Sequence, residues 1–278
     1  MIRFGEKESH IRTVVQKKEK EYQIDMHLRK SGSKGVAVNK IPIKKASELF
    51  GILNIVFFSP EDLNIIKNGP AERRRFIDLE LCQLDKLYLS DLSSFNKVLN
   101  QRNKLLKDIS FRPDLVDTLP VWDMQLLEYG TRIIRKRKEF VEELNEIISE
   151  IHSKISGGRE HLVLKYEPNI TADLFADELL RAQNRDLKLC QTTTGPHRDD
   201  MLVSVDDVDI RKFGSQGQQR TSALSLKLSE IDLVRRSIHD TPVLLLDDVL
   251  SELDSNRQNY LLNSIAKIQT VITCTGLE

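Results

Sequence analysis

Two adjacent carboxylates follow one of the two longest apolar runs of the sequence. Residues Val243 to Leu246 are apolar, and Asp247 and Asp248 come directly after them. Such a run predicts a buried parallel strand, and open α/β sheets bind ligands at the carboxyl ends of these strands. An aspartate there can hold Mg²⁺ through water, and a neighbouring carboxylate can orient an attacking water. A strand that ends in a solvated acidic turn is the alternative.

A second pattern predicts an anion site at a helix start. The segment Phe213-Gly-Ser-Gln-Gly-Gln-Gln-Arg-Thr221 precedes residues with helical apolar spacing. Ser215 is placed as the N-cap, and Gly217 lets the backbone approach a ligand closely. The free N–H groups and the dipole of a helix start attract anions. A routine capped helix start is the alternative, but this helix directly precedes the Asp247-Asp248 strand, and Ser251-Glu252-Leu253-Asp254 follows it.

The elements that position these residues alternate along the chain. Strand-forming segments separated by turn residues fill residues 11–58, which are Ile11–Val15, Tyr22–Leu28, Val36–Val38, Ile41–Ile43 and Leu53–Phe58. From Ala71 to Ile109 the apolar spacing predicts one long helix, and residues 122–155 predict a second. Because Pro113 and Pro120 separate the two, we expect an antiparallel helical hairpin. Two helices packed separately on a core are the alternative.

The last third of the chain predicts an α/β structure. A strand at 162–166, a helix near 171–184, a polar loop at 192–198 and a hairpin at 201–210 come first. Helix, strand, helix and strand then follow at 216–236, 243–247, 255–266 and 270–274, an alternation typical of a parallel sheet. We therefore expect three parts, namely a β-rich part (1–70), a helical insertion (71–158) and a C-terminal α/β part (159–278).

Composition excludes several classes of protein. The 278 residues include 42 Lys+Arg and 42 Asp+Glu, and 40% are hydrophobic. Apolar runs are too short to cross a membrane, and no signal-peptide pattern opens the chain. The three cysteines lack C-x-x-C spacing, which argues against a disulfide framework or a zinc site and for a reducing compartment. We predict a cytoplasmic protein.

Basic residues are unevenly distributed. Residues 1–50 carry 12 Lys/Arg and 6 Asp/Glu, an excess of 12 − 6 = 6, which is compatible with contacts to a phosphate backbone. Arg73, Arg74 and Arg75, like the run Lys136-Arg137-Lys138, are interpreted first as solvated surface charges, with DNA contact by the three arginines as the alternative. His197 and Arg198 are candidates for a nucleotide sensor or a DNA contact, against the alternative of an ordinary polar loop.

Together these motifs resemble those of ABC-type ATPases of the SMC and recombination-repair class, and most closely the RecF family. The ABC signature resembles residues 215–218, the Walker B strand residues 243–248 and the D-loop residues 251–254. Three further segments resemble RecF proteins specifically, which are Phe58-Ser-Pro-Glu-Asp62, Gly69-Pro-Ala-Glu-Arg-Arg-Arg75 and Thr194-Gly-Pro-His-Arg-Asp-Asp200. The resemblance implies an α/β ABC-ATPase-like head, with a mixed sheet, an antiparallel β lobe and an inserted α-helical hairpin arm.

The resemblance also implies roles for the motif residues. Asp247 would hold Mg²⁺, and Asp248 would orient or deprotonate the attacking water. The signature residues Ser215, Gln216, Gly217 and Gln218 would contact the γ-phosphate of ATP bound to a second subunit. Ser251, Glu252 and Asp254 of the D-loop would couple the two sites. Thr273 and Cys274 stand near the place where transporter-type ABC proteins have a switch histidine, so no residue is assigned as the γ-phosphate sensor.

At the level of function, the resemblance implies an ATP-dependent DNA-binding repair protein. Family members are expected to form ATP-driven dimers on single-stranded, gapped or duplex DNA and to hydrolyse ATP slowly. They are expected to act with RecO and RecR in loading RecA, in replication-fork recovery and in the SOS response.

One departure from the family pattern changes what we expect of this chain. No Gly-x-x-x-x-Gly-Lys-Ser/Thr loop occurs in the sequence. We interpret the chain, which stops at Leu277-Glu278, as a fragment or truncated product lacking roughly the first seventy to eighty family positions. It would supply only the trans half of an ATP site and would not hydrolyse ATP alone. A nucleotide-independent DNA- or partner-binding module is the alternative. A metal hydrolase is a distant third, because no histidine lies near Asp247 and Asp248.

Overall fold

The computed structural model describes residues 2–17, 19–32 and 34–274, without the side chains of Ala46, Ser47 and Glu252. The chain divides into two compact units, Met1–Ile55 and Val56–Glu278. The first unit therefore ends before residue 70, where the sequence predicts the end of the β-rich part. The three-part division stays a prediction, and the predicted chain end at Leu277-Glu278 lies outside the described residues.

The first unit is a four-stranded antiparallel sheet. Its strands follow one another in sheet order as β1 (Glu8–Lys17), β2 (Lys20–Arg29), β3 (Gly35–Val38) and β4 (Ile41–Ile43), and a 3₁₀ helix follows at Ala46–Leu49. Ile24 and Leu28 of β2 are buried on one face of the sheet. On the other face Arg12 lies opposite Asp25 and donates a hydrogen bond of 2.6 Å to it. This alternation of apolar and polar residues is what a half-exposed sheet requires.

The second unit begins with a strand and a series of helices. These are β5 (Ile55–Phe58), a 3₁₀ turn (Pro60–Asp62), α1 (Leu63–Lys67), α2 (Pro70–Leu84), α3 (Lys86–Ile109), a 3₁₀ helix (Pro113–Thr118) and α4 (Leu119–Ser156). The prediction of one long helix from Ala71 to Ile109 is wrong, because the helical conformation is interrupted at Asp85. The backbone of Asp85 is extended, and its carboxylate caps α3 by accepting from the backbone N–H groups of Leu87 and Tyr88. Periodicity alone missed the break, since apolar residues on both sides of it keep the same spacing.

The two longest helices, α3 and α4, pack against each other, and we call this pair the helical arm. The second half of α4 also packs on the elements that follow it along the chain, including α7. Its buried residues include Phe140, Leu144 and Ile148. The predicted hairpin of α3 and α4 thus forms. The alternative, packing on a core, applies to the second half of α4.

The rest of the second unit contains two sheets. The elements are β6 (Leu162–Glu167), α5 (Phe175–Leu189), a 3₁₀ turn (Pro196–Arg198), β7 (Asp200–Val205), β8 (Val208–Asp209), α6 (Ile210–Phe213), α7 (Gln216–Ile238), β9 (Val243–Asp247), a 3₁₀ turn (Leu250–Glu252), α8 (Ser255–Ile265) and β10 (Thr270–Thr273). Strands β6, β7 and β8 form an antiparallel sheet. The other sheet has the order β10-β9-β5, and β9 and β10 run parallel as predicted. No helix in the described part of the chain has both the length and the apolarity of a membrane span.

Candidate functional site

The carboxylate of Asp247 lies at the exposed carboxyl end of β9. The next strand, β10, places Thr273 directly beside it in the parallel register. The Thr273 hydroxyl donates a hydrogen bond of 2.6 Å to Asp247 Oδ1. The exposed Asp247 is therefore held by a hydroxyl, which is a neutral partner. The predicted Mg²⁺ residue is thus fixed in position without being enclosed by protein.

Asp248 starts the turn that leaves β9. Its φ of 52° is in the left-handed region, which non-glycine residues seldom adopt. The Asp248 backbone N–H donates to the Thr273 carbonyl at 3.1 Å, and the Ser251 hydroxyl donates to the Asp248 carbonyl at 2.8 Å. Three residues that the sequence singled out, Asp247, Asp248 and Ser251, are thus connected through their own bonds and Thr273.

The D-loop is fixed by the helix that follows it. Asp254 is the N-cap of α8 and accepts from the Arg257 backbone N–H at 3.0 Å. The Arg257 guanidinium donates to the same carboxylate at 2.6 Å, and these hydrogen bonds lower the pKa of Asp254. Gln258 donates to the carbonyls of Leu250 and Leu253. The exposed Asp254 thus serves the fold of its own segment, while the Glu252 side chain lies outside the described residues.

The start of α7 has the geometry of a capping box. The Ser215 hydroxyl accepts from the Gln218 backbone N–H at 3.1 Å, and the Gln218 side chain accepts from the Ser215 backbone N–H at 3.0 Å. Ser215, Gln216 and Gly217 are exposed. The predicted N-cap is therefore present, with its first helical turn open to a ligand.

Two glycines at this helix start have different roles. A Cβ on Gly214 would lie 2.5 Å from the Ile210 carbonyl oxygen, so packing within the chain requires a glycine there. A Cβ on Gly217 would meet only the Ser215 hydroxyl, at 3.8 Å. Nothing in the described chain therefore demands a glycine at 217. Close approach of an external group is a physical reason for having one.

A cleft lies between the signature helix and the region of the D-loop. We call it the motif cleft, and its lining comes from three segments of the second unit. These are the end of β5 with the turn after it (Phe58, Ser59, Pro60, Asp62, Leu63), the second and third turns of α7 (Arg220, Ala223, Leu224, Lys227) and the D-loop region (Val249, Leu253). The Phe58–Asp62 segment, which was singled out only by its resemblance to RecF proteins, therefore lies against the signature helix.

The donors at the end of β9 suit Mg²⁺. Carboxylate oxygens are the ligands that this ion prefers, and it is usually bound by one or two of them together with water and substrate phosphates. Asp247 offers such an oxygen in an exposed position. Among the residues the structure describes, no cluster of three or more metal-ligating side chains occurs. Asp247 therefore fits an ion that takes its other ligands from water and substrate phosphates.

His197 lies in the base of the arm and is absent from the lining of the motif cleft. Its Nε2 donates to the Thr192 carbonyl at 3.0 Å, and its ring centroid is 6.0 Å from that of Phe95. Burial lowers the pKa of His197 to about 4, and the positive charge of Arg198 adds to the effect. The imidazole is thus neutral at pH 7 and brings no positive charge to a phosphate. Arg198 itself is exposed.

The interpretation of residues 73–75 as surface charges is wrong for Arg73. This side chain is 3% exposed and forms a two-pronged ion pair with Asp200, at 2.6 and 3.0 Å. Arg74 is half-buried and donates to the Asp199 carbonyl, whereas Arg75 is exposed. Three consecutive arginines point in three directions around a helix, and the sequence does not say which one faces inward. Of the three, only Arg75 keeps the full exposure that a DNA contact needs.

The same correction applies to Arg137, which is 3% exposed. Its guanidinium donates to Asp78 on α2 at 2.9 Å and to Asp199 at 2.9 Å, and it also bonds the Pro196 carbonyl. Tyr88 on α3 accepts from Arg137 Nε at 3.1 Å. The prediction of a snorkelling surface charge failed because the neighbours Lys136 and Lys138 are exposed and conceal a buried residue between them.

A third buried arginine, Arg102 on α3, was missed entirely. It is fully buried and donates to Asp186 at 2.7 Å, to Asp123 at 2.6 Å and to the Thr192 hydroxyl at 2.9 Å. Its only signal in the sequence is its place on the apolar face of α3, one turn from Leu106. We call Arg73, Arg102, Arg137 and their carboxylate partners the arm-base network.

No known family model matches the chain. Comparison with individual proteins is decisive, because over all 278 residues the chain is 79% identical to the DNA replication and repair protein RecF of Agathobacter rectalis, of which it covers 77%. The chain belongs to the RecF family. Its function therefore lies in DNA replication and recombinational repair, as the resemblance of its motifs implied.

Solved structures agree with this assignment. The recombination mediator protein RecF-ATPrS in the RecFOR pathway has a TM-score of 0.91 and 37% identity, over 99% of this chain and 76% of that one. An Smc head bound to the C-winged helix domain of ScpA, 16% identical with a TM-score of 0.50 over 97% of this chain and 66% of that one, shares the fold alone. The predicted ABC-type head of the RecF and SMC kind, with its antiparallel β lobe, is thus confirmed.

Proposed function

We propose that this chain supplies the signature, Walker B and D-loop half of an ATP-dependent DNA-binding site. One observation carries the proposal, which is the Asp247–Thr273 pair at the end of β9 in the same unit as an open, Ser215-capped helix start. A helix start with exposed N–H groups attracts phosphate oxygens, and Asp247 suits the accompanying Mg²⁺. Asp248 then orients the attacking water.

In this proposal the signature residues act on a nucleotide held by a second subunit. Ser215, Gln216 and Gly217 are exposed, and the Ser215 oxygen caps the helix. Ligand phosphates would thus bridge two chains. A nucleotide that binds the two chains together more tightly than either chain alone favours the dimer. A relative that was solved with ATP supports the choice of nucleotide.

For DNA contact we propose the basic surface of the first unit. Most of its lysines and arginines are exposed, including Lys20, Arg29 and Lys30 on and beside β2. Lys17 is an exception, because its ammonium donates to the Gly51 carbonyl at 2.6 Å. Contacts of this kind read the phosphate backbone and not the sequence. The same proposal includes gapped DNA as a ligand, RecR and RecO as partners, RecA loading, the SOS response and a cytoplasmic location.

ATP-dependent association tests the nucleotide half of the proposal. The chain is mixed with a full-length RecF relative that carries a phosphate-binding loop, and the dissociation constant is measured with and without ATP and Mg²⁺. We expect ATP to tighten association at least tenfold and the variant Gly217→Arg to abolish that gain. Gly69→Arg is the control, because a Cβ on Gly69 meets nothing within 4 Å and the residue lies outside the signature, Walker B and D-loop segments.

Salt dependence tests the DNA half. Affinity for duplex and for gapped DNA is measured from low to physiological salt. Neutralisation of several phosphates makes the logarithm of the binding constant fall steeply with the logarithm of salt concentration. Replacing Lys20, Arg29 and Lys30 by glutamine is expected to flatten this slope. An unchanged slope in the triple variant would move the DNA contact away from the first unit.

The second candidate is a nucleotide-independent binding module, favoured by the absence of a Gly-x-x-x-x-Gly-Lys-Ser/Thr loop from the sequence. It predicts that the chain binds DNA or a partner equally well with and without ATP. The association experiment therefore separates the two candidates directly.

A further inference from the structure

Four charged side chains lie together in and behind the wall of the motif cleft, and we call them the buried charge cluster. They are Asp62 from the turn after β5, Glu80 from α2, and Lys227 and Glu230 from α7. The Lys227 ammonium lies 2.6 Å from Glu230 Oε2 and 4.0 Å from Asp62 Oδ1. Asp62 and Lys227 line the cleft itself. The cluster therefore joins three separate elements around one cation.

Three of the four side chains are almost completely buried, and that of Asp62 is 20% exposed. Glu80 is 6% exposed, and the side chains of Lys227 and Glu230 are 8% and 0% exposed. Within the described chain, Glu80 Oε2 and Glu230 Oε1 have no hydrogen-bond partner. The Phe58 ring covers Lys227, with its centroid 5.7 Å from the ammonium nitrogen. Two carboxylates thus each keep an unsatisfied oxygen in an environment with little access to water.

The charges of the cluster do not balance. With all four groups ionised, three carboxylates and one ammonium sum to a charge of −2, because −3 + 1 = −2. An unpaired buried carboxylate is so costly that it binds a proton instead. Glu80 and Glu230 share the buried Lys227 ammonium, so burial favours a proton on one of these two carboxylates at neutral pH.

The direction of each pKa agrees with this protonation. Burial raises the pKa of Glu80 to about 7, against the opposing effect of Lys227. Burial also raises the pKa of Glu230 and, less strongly, that of Asp62, to which the neighbouring charge of Glu61 contributes. For Lys227 the surrounding carboxylates outweigh burial and raise the pKa, so the lysine stays charged. Glu80 is thus the group that releases its proton nearest to neutrality.

We propose that the buried charge cluster is a proton-binding switch, in which Glu80 releases a proton as the pH rises and thereby loosens the packing of α7 on α2. Since Glu230 keeps its own proton to higher pH, ionised Glu80 gives the cluster a net charge of −1, because one ammonium then faces two carboxylates. Because Glu80 is on α2 and Lys227 and Glu230 are on α7, the cost of burying this charge is relieved when the two helices separate. The signature residues begin α7, three turns before Lys227, so the cluster ties the order of the signature helix to its protonation. The proposal is independent of whether a nucleotide binds.

Infrared spectroscopy of the full chain tests for the proton itself. A protonated buried carboxyl has a carbonyl stretch that ionised carboxylates lack. We expect this band at pH 6 and its partial loss with a midpoint near pH 7. Glu80→Gln, which keeps the shape of the side chain, removes the part that titrates. Absence of the band at pH 6, or an unchanged titration in Glu80→Gln, would overturn the proposal. If that variant does not fold, the wild-type band still tests for the proton. The titrating part of the band must then persist in Glu230→Gln, which keeps Glu80.

Amide hydrogen exchange tests the effect on α7. After correction for intrinsic exchange, protection of the α7 amides is expected to fall by up to roughly 70-fold between pH 5 and pH 8, given a Glu80 pKa of about 7 in the folded chain and 4.5 in the unfolded chain. The fall should vanish in Glu80→Gln and persist in Glu72→Gln, the matched control on the same helix. Equal pH dependence in the wild type and Glu80→Gln would show that the proton does not control α7.

Discussion

The arm-base network and the motif residues are both polar, but the chain treats them in opposite ways. In the arm-base network every arginine is buried, and each of the three bonds a carboxylate on another element. In the motif region Asp247, Ser215 and Gly217 are exposed, and Asp247 is held by a single hydroxyl. The first region is closed by its own partners, whereas the second keeps donors and acceptors available.

This difference separates charges that hold the fold from charges that wait for a ligand. Removing one partner of a buried ion pair strongly lowers the stability of the fold, because the remaining charge has neither water nor a counter-ion. Exposed groups with few partners cost little to replace. Substitutions in the arm-base network should therefore cost more stability than those in the motif region. Substitutions in the motif region should cost more ligand binding.

The largest effect is expected from Arg137→Met. The variant leaves Asp199, which is 1% exposed, and Asp78 without their cation. The free energy of unfolding should fall by about 3–5 kcal/mol. Denaturant unfolding of the wild type and of the variant measures it.

Lys136→Met and Lys138→Met are matched controls, because both lysines flank Arg137 on α4 and are exposed. Each should change the free energy of unfolding by less than about 0.5 kcal/mol. If Arg137→Met were no less stable than these controls, the network would not be what holds the arm base together.

The second effect is a pH dependence. Folding lowers the pKa of His197 from 6.5 to about 4, so between these values the unfolded chain takes up a proton that the folded chain refuses. The contribution of His197 to stability is complete above pH 6.5 and is lost as the pH falls towards 4. The loss amounts to about 3 kcal/mol.

Unfolding of the wild type and of His197→Gln at pH 7 and pH 4.5 measures this loss, which should be missing from the variant. Comparison of the two proteins removes the opposite trend that Glu80 contributes over part of the same range. An NMR titration that gave His197 an ordinary pKa would place its ring in water and break the contrast between the two regions.

The third prediction lies within the motif region and uses its two glycines. Gly214→Ala should lower the free energy of unfolding by about 1–3 kcal/mol, because its Cβ would collide with the Ile210 carbonyl. Gly217→Ala should raise it by about 0.5–1 kcal/mol, since alanine favours a helix and its Cβ would contact only the Ser215 hydroxyl, at 3.8 Å. Thermal unfolding of both variants decides, and the reverse order would mean that Gly217 serves packing.

The smallest effect is expected at the end of β9. Asp247→Ala and Thr273→Val should each change the free energy of unfolding by less than about 1 kcal/mol, because one exposed hydrogen bond is lost. Denaturant unfolding measures the change beside Arg137→Met. A loss at Asp247 as large as that at Arg137 would erase the distinction between the two regions.

The sequence predicted the elements wherever local pattern decides them. The strands, the capped start of α7 and the apolar strand before Asp247 all follow from alternation, spacing and cap chemistry, which act over a few residues. The break at Asp85 could have been inferred, since an aspartate there caps the next helix. Spacing of apolar residues carried no trace of it, because both helices present the same face.

What could not be predicted depends on contacts between distant parts of the chain. Arg137 meets Asp199 across 62 residues, and Arg102 meets Asp186 across 84. A lone arginine on a helix is usually a surface charge, and only tertiary packing makes it a buried one. For the same reason the buried charge cluster was missed, although Lys227 and Glu230 stand three residues apart.

The length of α4 connects the helical arm to the signature helix α7. Its 38 residues form a rod about 57 Å long, and Arg137 pins that rod close to its midpoint. One turn before its far end, His152 bonds Ser225 in the middle of α7 at 2.9 Å. Because α4 packs on α3 along the arm and on α7 beyond it, a displacement of the arm would be passed to the middle of the helix that begins with the signature.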